Sequence, residues 1–369
     1  WAICPLLQNE KRRIVMFGRI KEELDKGIFP PWPMLKRNLQ AGIAFFKVML
    51  RHPFRFTKDV ASAWWPRLRA RKALWAPPYE EHTNFLTEED LAQVTVKDIK
   101  RATHKEKYLR PVRLCKPNAP EIVALAKKLG AWQKSDWEYA ESIFDFMREI
   151  KFEFGALKNE LEVLNTGKGV CLDKQSLGIA LARAGGIPAR YTITGLVFAP
   201  PVEAALTVDP TFKDVYSTLQ VWEQHGAAEF YLGEKWVASD FIIDDEVVVG
   251  LGVPIARFGN VDVGLGTDAP TIITQFESLP LGYRTLMKFG IALMRGMADR
   301  INGHLSNDVR ALGRRMLEEK GVEAFLEKER KPLTIELPSL QEVEAFRRKK
   351  GTSLNPPLAS AADKAQREK

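Results

Sequence analysis

Gly167-Lys-Gly-Val-Cys171-Leu-Asp-Lys-Gln-Ser-Leu177-Gly-Ile-Ala-Leu-Ala-Arg-Ala-Gly185-Gly-Ile-Pro188-Ala-Arg190 is the stretch of this 369-residue chain that decides its fold. A Gly-rich turn opens a helix at Cys171. Leu177, Ala180, Leu181 and Ala184 then recur at i, i+3, i+4 and i+7, the apolar stripe of a core-facing helix. Gly185-Gly186 followed by Pro188 ends it, because glycine supplies a left-handed cap and proline cannot continue the turn. A thiol at a helix start sits among backbone N–H groups at the positive end of the dipole, which favours thiolate. A nucleophilic cysteine needs that preparation. A small buried hydrophobe is the other common use of a free cysteine, and these residues alone leave both readings open.

A base and an orienting acid are found downstream. Trp222-Glu-Gln-His225-Gly-Ala-Ala-Glu229-Phe-Tyr-Leu-Gly233-Glu234-Lys-Trp-Val-Ala-Ser-Asp240 reads as a β-hairpin, with Gly233 in the first of two loop positions suiting a type II′ turn. Pairing Leu232 with Lys235 sets His225 opposite Ile242 and Asp240 opposite Ala227. Asp240 then lies diagonal to His225 on one face of the sheet, within reach of longer side chains. A carboxylate there can hold the imidazole in one tautomer and stabilise its charged form.

These motifs together resemble the transglutaminase-like superfamily. The likeness rests on Gly-Val-Cys171, the helix ending Ala-Gly-Gly-Ile-Pro-Ala-Arg190, and the His-x-x-x-Glu-x-Tyr-Leu-Gly-x-Lys-Trp-Val-x-x-Asp hairpin. Trp137 to Phe154 is similar to the helix that precedes the family's cysteine, so the likeness covers roughly residues 120–245. The resemblance implies an α+β fold: a papain-like transglutaminase core, with the cysteine helix packed on an antiparallel sheet, and helical N- and C-terminal extensions around it. It places Cys171, His225 and Asp240 on the family's catalytic positions. Two departures stand out. Ala227 occupies a place where the family commonly has an aromatic residue, and Asp240-Phe-Ile replaces the usual Asp-Pro-Thr. Asp209-Pro-Thr occurs earlier, but it precedes the histidine and does not carry over.

The expected chemistry follows from those three residues. His225 draws the proton from Cys171, and the sulfur attacks an amide or thioester carbonyl to give an acyl-enzyme. The tetrahedral oxygen needs two donors. The Cys171 backbone N–H is one, while Trp222, Asn165 and Gln224 are the candidates for the other. Peptide or amide hydrolysis is the leading expectation. Transglutaminase, acyltransferase or cyclase action on a thioester or amine uses the same residues. A non-catalytic binding or scaffold protein with the same fold is the competing class.

Composition fits a globular chain with a sizeable core, at 45% hydrophobic and 28% charged residues. Cys4, Cys115 and Cys171 are odd in number and widely spaced, which argues against a disulfide framework. The five histidines are scattered, with no Cys/His metal-ligand spacing. No GxGxxG, Walker loop or Ser-centred elbow occurs, so no cofactor or metal is expected.

Charge is uneven. Residues 1–80 carry 16 Lys and Arg against 6 Asp and Glu, while the whole chain is only +8. Within this basic region Leu35, Leu39, Ile43, Phe46 and Leu50 mark one face of a helix over 34–50, which Pro53 stops. That face is expected to pack on protein. An anionic membrane surface or an acidic carrier protein is the alternative partner for residues 1–80. Nucleic acid is disfavoured, because no recognised module accompanies the charge. The expected location is cytoplasmic or membrane-peripheral. The expected organisation is a basic, mainly helical region over 1–118, the core over 119–250, a mainly helical region over 251–350 and a weakly ordered tail over 351–369.

Elsewhere, Thr87 with Asp90 suits a helix cap, and 119–129 and 136–150 read as helices. Tyr191 onward alternates as a strand, and 199–223 reads as a connection rimming the site. Val247 to Pro254 suggests a strand or extended segment, and 259–266 a loop. Residues 281–327 read as helical, with an apolar face at Leu286, Leu293, Met297 and Ile301. His304 reads as a surface or capping histidine.

Overall fold

The computed structural model describes residues 32–78, 82–83, 85–196, 198–219, 222–239, 241–259, 271–280 and 282–326, without the side chains of 33, 196, 222–224 and 271–273. Two helices, α1 (Trp32–Arg51) and α2 (Pro53–Arg69), lead into two short ones, α3 (Glu88–Ala92) and α4 (Val96–Arg101). Next come α5 (Pro120–Leu129), α6 (Asp136–Glu149), β1 (Lys151–Phe152), α7 (Glu160–Thr166), β2 (Lys168–Gly169) and α8 (Cys171–Gly185). After β3 (Ala189–Leu196), the helices α9 (Pro200–Leu206) and α10 (Pro210–Leu219) precede the hairpin of β4 (Trp222–Leu232) and β5 (Lys235–Ser239). Then follow α11 (Asp245–Gly250), β6 (Thr271–Phe276), α12 (Tyr283–Leu293), α13 (Arg295–His304) and α14 (Arg310–Lys320).

Local chemistry sets many of these boundaries. Thr87, Ser135 and Asn159 each accept from the amide three residues on, and Asp90, Glu138 and Glu162 return a bond to the cap amide. Pro53, Pro120 and Pro200 sit at helix starts, where a missing N–H costs nothing. Gly186 ends α8 at φ +97°, the left-handed cap that the Gly-Gly pair announces.

The main sheet runs β5-β4-β3-β6, antiparallel throughout. Helix α8 lies against β3 and β4 on one side and meets α5, α6 and α7 on others. Every side chain from Leu172 to Ala184 with a measured exposure is buried, including Asp173, Lys174, Gln175, Ser176 and Arg183. Full burial of a leucine or isoleucine stabilises by about 1.5–3 kcal/mol, and Leu177, Ile179 and Leu181 are all completely covered. The polar members are satisfied by backbone. Arg183 donates to the carbonyls of Ala189, Arg110 and Glu277, and Lys174 to that of Ile150. Gly178 is required by close packing, since a Cβ there would stand 2.3 Å from the Phe241 ring. The architecture is therefore α+β, with a cysteine helix packed on an antiparallel sheet and helices on either side in sequence.

Several expectations need correction. The hairpin register is as read, Leu232 opposite Lys235, but the turn is type I′: Gly233 and Glu234 both have positive φ, +54° and +66°. The Val247 stretch is the helix α11, because Asp244 caps it by accepting from the Val247 amide and its valines bury against α14. The connection after residue 199 holds α9 and α10. Leu286 is exposed, whereas Met297 and Ile301 are buried as expected. Residues 260–266 and the 351–369 tail lie outside the described residues.

The largest difference is in α1. The helix forms, but the Leu35, Leu39, Ile43, Phe46 and Leu50 face is turned outward, with Leu39 64% and Leu50 62% exposed. The face against protein is instead Met34, Arg37, Ala44 and Val48. Helix α2 is tied down by Trp64, which donates to the Ala292 carbonyl at 2.7 Å, and by Arg67 on Asp299 at 2.8 Å. A second apolar cluster joins Phe198, Phe212 and Val247 to Met297, Ile301 and Leu305.

Candidate active site

Cys171 is the first residue of α8 and is half-buried. A residue there lies among the amides for which a helix offers no internal acceptor. His225 stands on β4, buried at 5% exposure, opposite Thr194 on β3. Its carbonyl accepts from the Thr194 hydroxyl at 3.4 Å. The next residue brings strand and helix together. A Cβ on Gly226 would come within 2.8 Å of both Leu172 and Gln175, so β4 presses against the first turns of α8 at that point. Cys171 and His225 line the same cavity. Thiol and imidazole thus share one space, fixed by a buried helix start and a central strand.

Asp240 lies outside the described residues. Among the described residues the β4–β5 ladder runs as far as Ala228 opposite Ser239. Asn165 is exposed at the end of α7, where its carbonyl accepts from Thr83, and it does not line the cavity. The side chains of Trp222 and Gln224 are not among those described. His304 pairs with Asp308 on the surface at 2.7 Å. Asp209 is buried as a capping and ion-pairing residue, accepting from Thr211, Phe212 and Arg300.

Two groups near the thiol were not legible in sequence. Tyr283, the first residue of α12, lines the cavity with Cys171. Burial, and secondarily the charge of Cys171, push its phenol above the ordinary range, so it remains a donor at neutral pH. No local pattern announces it, because it arrives from more than a hundred residues away. Asp173, in the first turn of α8, accepts from the amides of Lys158 at 2.8 Å and Val170 at 3.1 Å. Burial pushes its carboxyl up to about 8, against the nearby Lys158 charge and those two bonds. Cys115, by contrast, is wholly buried, and burial pushes its thiol up to about 12. Among the described residues no His, Cys, Asp and Glu group could hold a metal ion, and no helix is long and apolar enough to cross a membrane.

Fold and site together define an α+β core with a cysteine at the start of its central helix and a histidine on the facing strand. Residues 123–241 match the family model of the Transglutaminase-like superfamily. A solved chain described as a putative cysteine protease from Cytophaga hutchinsonii is 23% identical, with a TM-score of 0.28. That match covers 47% of this chain and 47% of the other, under half the length of each. No curated protein matches the chain.

Proposed function

We propose that this protein is a cysteine-dependent enzyme that cleaves an amide bond through a thioester acyl-enzyme on Cys171. The observation that carries the reading is a single cavity lined by both Cys171, at a helix start, and His225. In this mechanism His225 takes the thiol proton, and the helix dipole favours the thiolate that results. Sulfur attacks the carbonyl carbon. The imidazolium then gives its proton to the leaving nitrogen as the C–N bond breaks. Water, activated by the same imidazole, attacks the thioester and releases a carboxylic acid. Asp240 is proposed as the group that orients His225. The Cys171 amide and the Tyr283 hydroxyl are proposed as the two oxyanion donors. A thioester donor or an amine acceptor would use the same steps with a different leaving group or nucleophile.

The test is alkylation of Cys171 by iodoacetamide as a function of pH, followed by intact mass. A thiolate–imidazolium pair keeps the rate high below neutral pH, and His225→Ala removes that acid limb. Ordinary thiol kinetics at Cys171, unaltered by His225→Ala, would overturn the mechanism. Tyr283→Phe is expected to lower kcat while leaving KM nearly unmoved, because its bond forms chiefly in the transition state.

A further inference from the structure

The space beside Cys171 and His225 is a cavity of about 160 Å³ whose walls are almost wholly apolar. Four parts of the fold build it: the Phe152–Phe154 corner, α9 with Val202 and Leu206, α11 with Val247, and the pair α12 and α13. Among the described residues no Asp, Glu, Lys or Arg lines it; the polar side chains there are Cys171, His225 and Tyr283, those already placed around the reacting atoms. Met287, Met294 and Met297 contribute three flexible thioether walls that adapt to a floppy guest. A water needs roughly 10–15 Å³ of such space, so the room amounts to roughly a dozen water-sized groups, enough for a medium-length chain of methylenes. A peptide backbone would bring N–H and C=O groups in with no partners, at a cost of several kcal/mol each in an apolar site.

We propose that the cavity receives a medium-length unbranched acyl chain, and that the bond cleaved at Cys171 is the one joining that chain's carbonyl to its amine or thiol. This deepens the reading above and rests on it. In this proposal the chain's carbonyl carbon stands beside Cys171 and its methylenes lie along the apolar walls that Leu251 and Leu305 help to form. Attack by the Cys171 sulfur forms the C–S bond. The amine or thiol leaves with the imidazolium proton, and water later returns the thiol and releases a fatty acid.

Two arms test it. In wild-type protein, kcat/KM for N-acyl anilides and for acyl thioesters should rise about fourfold per added methylene from acetyl to decanoyl, then level off. Comparison of the two series tells whether the donor is an amide or a thioester. Ala205→Phe, which narrows the cavity wall, should move the optimum to shorter chains. Equal kcat/KM for acetyl and decanoyl donors would overturn the acyl-chain assignment while leaving the cysteine chemistry standing. The second arm needs no turnover: decanamide should bind Cys171→Ala at least tenfold more tightly than butanamide. Equal binding, or none, would overturn the assignment whatever the fate of the mechanism.

A separate observation, independent of the active site, carries a second inference. Trp32, Leu35, Leu39, Ile43, Phe46 and Leu50 form one exposed stripe along α1, and Phe54, 91% exposed, extends it onto α2. A helix of 20 residues is about 30 Å long, so this is a continuous apolar edge rather than a scatter of single residues. Residues 32–72 hold ten Lys and Arg against one acid, Asp59, and Asp59 is engaged by Arg300 at 2.8 Å. Lys36, Lys47, Arg51, Arg69, Arg71 and Lys72 are exposed around the stripe. We infer that α1 lies on an anionic lipid surface, its stripe among the acyl chains and its cations among the headgroups. Full-length protein should sediment with phosphatidylcholine vesicles containing phosphatidylglycerol, and release at high salt. Leu39→Glu combined with Ile43→Glu alters only exposed positions and should lower partition at least tenfold. Failure to bind those vesicles, or binding unaffected by the double substitution, would overturn the inference and point to an acidic protein partner instead.

Discussion

Gly226→Ala tests the joint between the histidine strand and the cysteine helix. The added Cβ would lie 2.8 Å from Gln175 Nε2 and 2.8 Å from Leu172 Cδ2, where ordinary contact begins at 3.4 Å. Both neighbours are buried in α8, and Gln175 is further held by its bond to the Thr192 carbonyl at 3.1 Å. Relief therefore requires β4 and α8 to part by roughly half an ångström or more, or one of these side chains to leave its rotamer. Overpacking of this kind costs about 1–3 kcal/mol. The functional effect should be larger than the stability effect, because His225 is the adjacent residue and a misplacement of about 1 Å can cost on the order of 100-fold in rate. The assay pairs urea unfolding with the iodoacetamide rate at Cys171 below neutral pH, where only an imidazole-paired thiolate reacts quickly. We expect a lowered urea midpoint and a fall in rate of roughly 10- to 100-fold. Wild-type stability together with a wild-type acid-limb rate would refute the claim that Gly226 sets the spacing between thiol and imidazole.

Three further outcomes follow from other parts of the structure. Mass mapping after brief alkylation at neutral pH should find Cys171 labelled at least 100-fold faster than Cys115, whose burial disfavours its thiolate; equal labelling of the native protein would contradict this. Arg310→Met should destabilise by about 3–5 kcal/mol, since Arg310 makes two bonds to the buried Asp244, at 2.8 and 3.0 Å. Burial pushes the Asp244 carboxyl up, but those bonds and the Arg310 charge outweigh it and hold the group below its ordinary range. Its stabilising contribution is therefore full above the ordinary carboxylate range and is lost as pH falls through the lowered folded value. Wild-type urea midpoints should drop on that acidification, and Arg310→Met should lack that part of the drop. Glu234→Gly should stabilise by about 0.5–1 kcal/mol, because Glu234 holds φ +66° at a turn position that favours glycine; a lowered thermal midpoint would count against the type I′ assignment.

What was legible in sequence was local. The cysteine helix announces itself by glycine at both ends, and the hairpin register follows once a two-residue turn is placed. The turn type did not follow, because glycine at the first position suits II′ and I′ alike, and only the φ of Glu234 separates them. Val247-Val-Val misled because β-branched residues favour strands, while the Asp244 cap and packing on α14 decide for helix. There Gly313 lets α14 approach so closely that a Cβ would sit 1.7 Å from the Glu246 carbonyl oxygen. Helix α1 carries two apolar stripes, and periodicity alone does not say which one meets protein. The larger one, Leu39 and Phe46 among it, faces out, and the smaller Ala44 and Val48 face in, where close approach to neighbours favours small side chains. The cavity was invisible for a further reason. Its walls come from Phe152 to Leu305, and no window of sequence contains them together.

The burial of α8 on every side has a bearing on how the molecule folds and opens. A helix with one solvated face can form early and swing away from its neighbours at modest cost. Helix α8 has no such face: with Lys174, Gln175 and Arg183 turned inward, its side chains find their partners only when the sheet and α5, α6 and α7 are already around it. Its docking is therefore a late, cooperative event, and the nucleophile acquires its position with the whole fold. Local unfolding confined to this helix would strand an arginine, a lysine and four of their carbonyl acceptors at once. The amides of Leu177 to Arg183 should then exchange with solvent only through global unfolding, among the slowest in the chain.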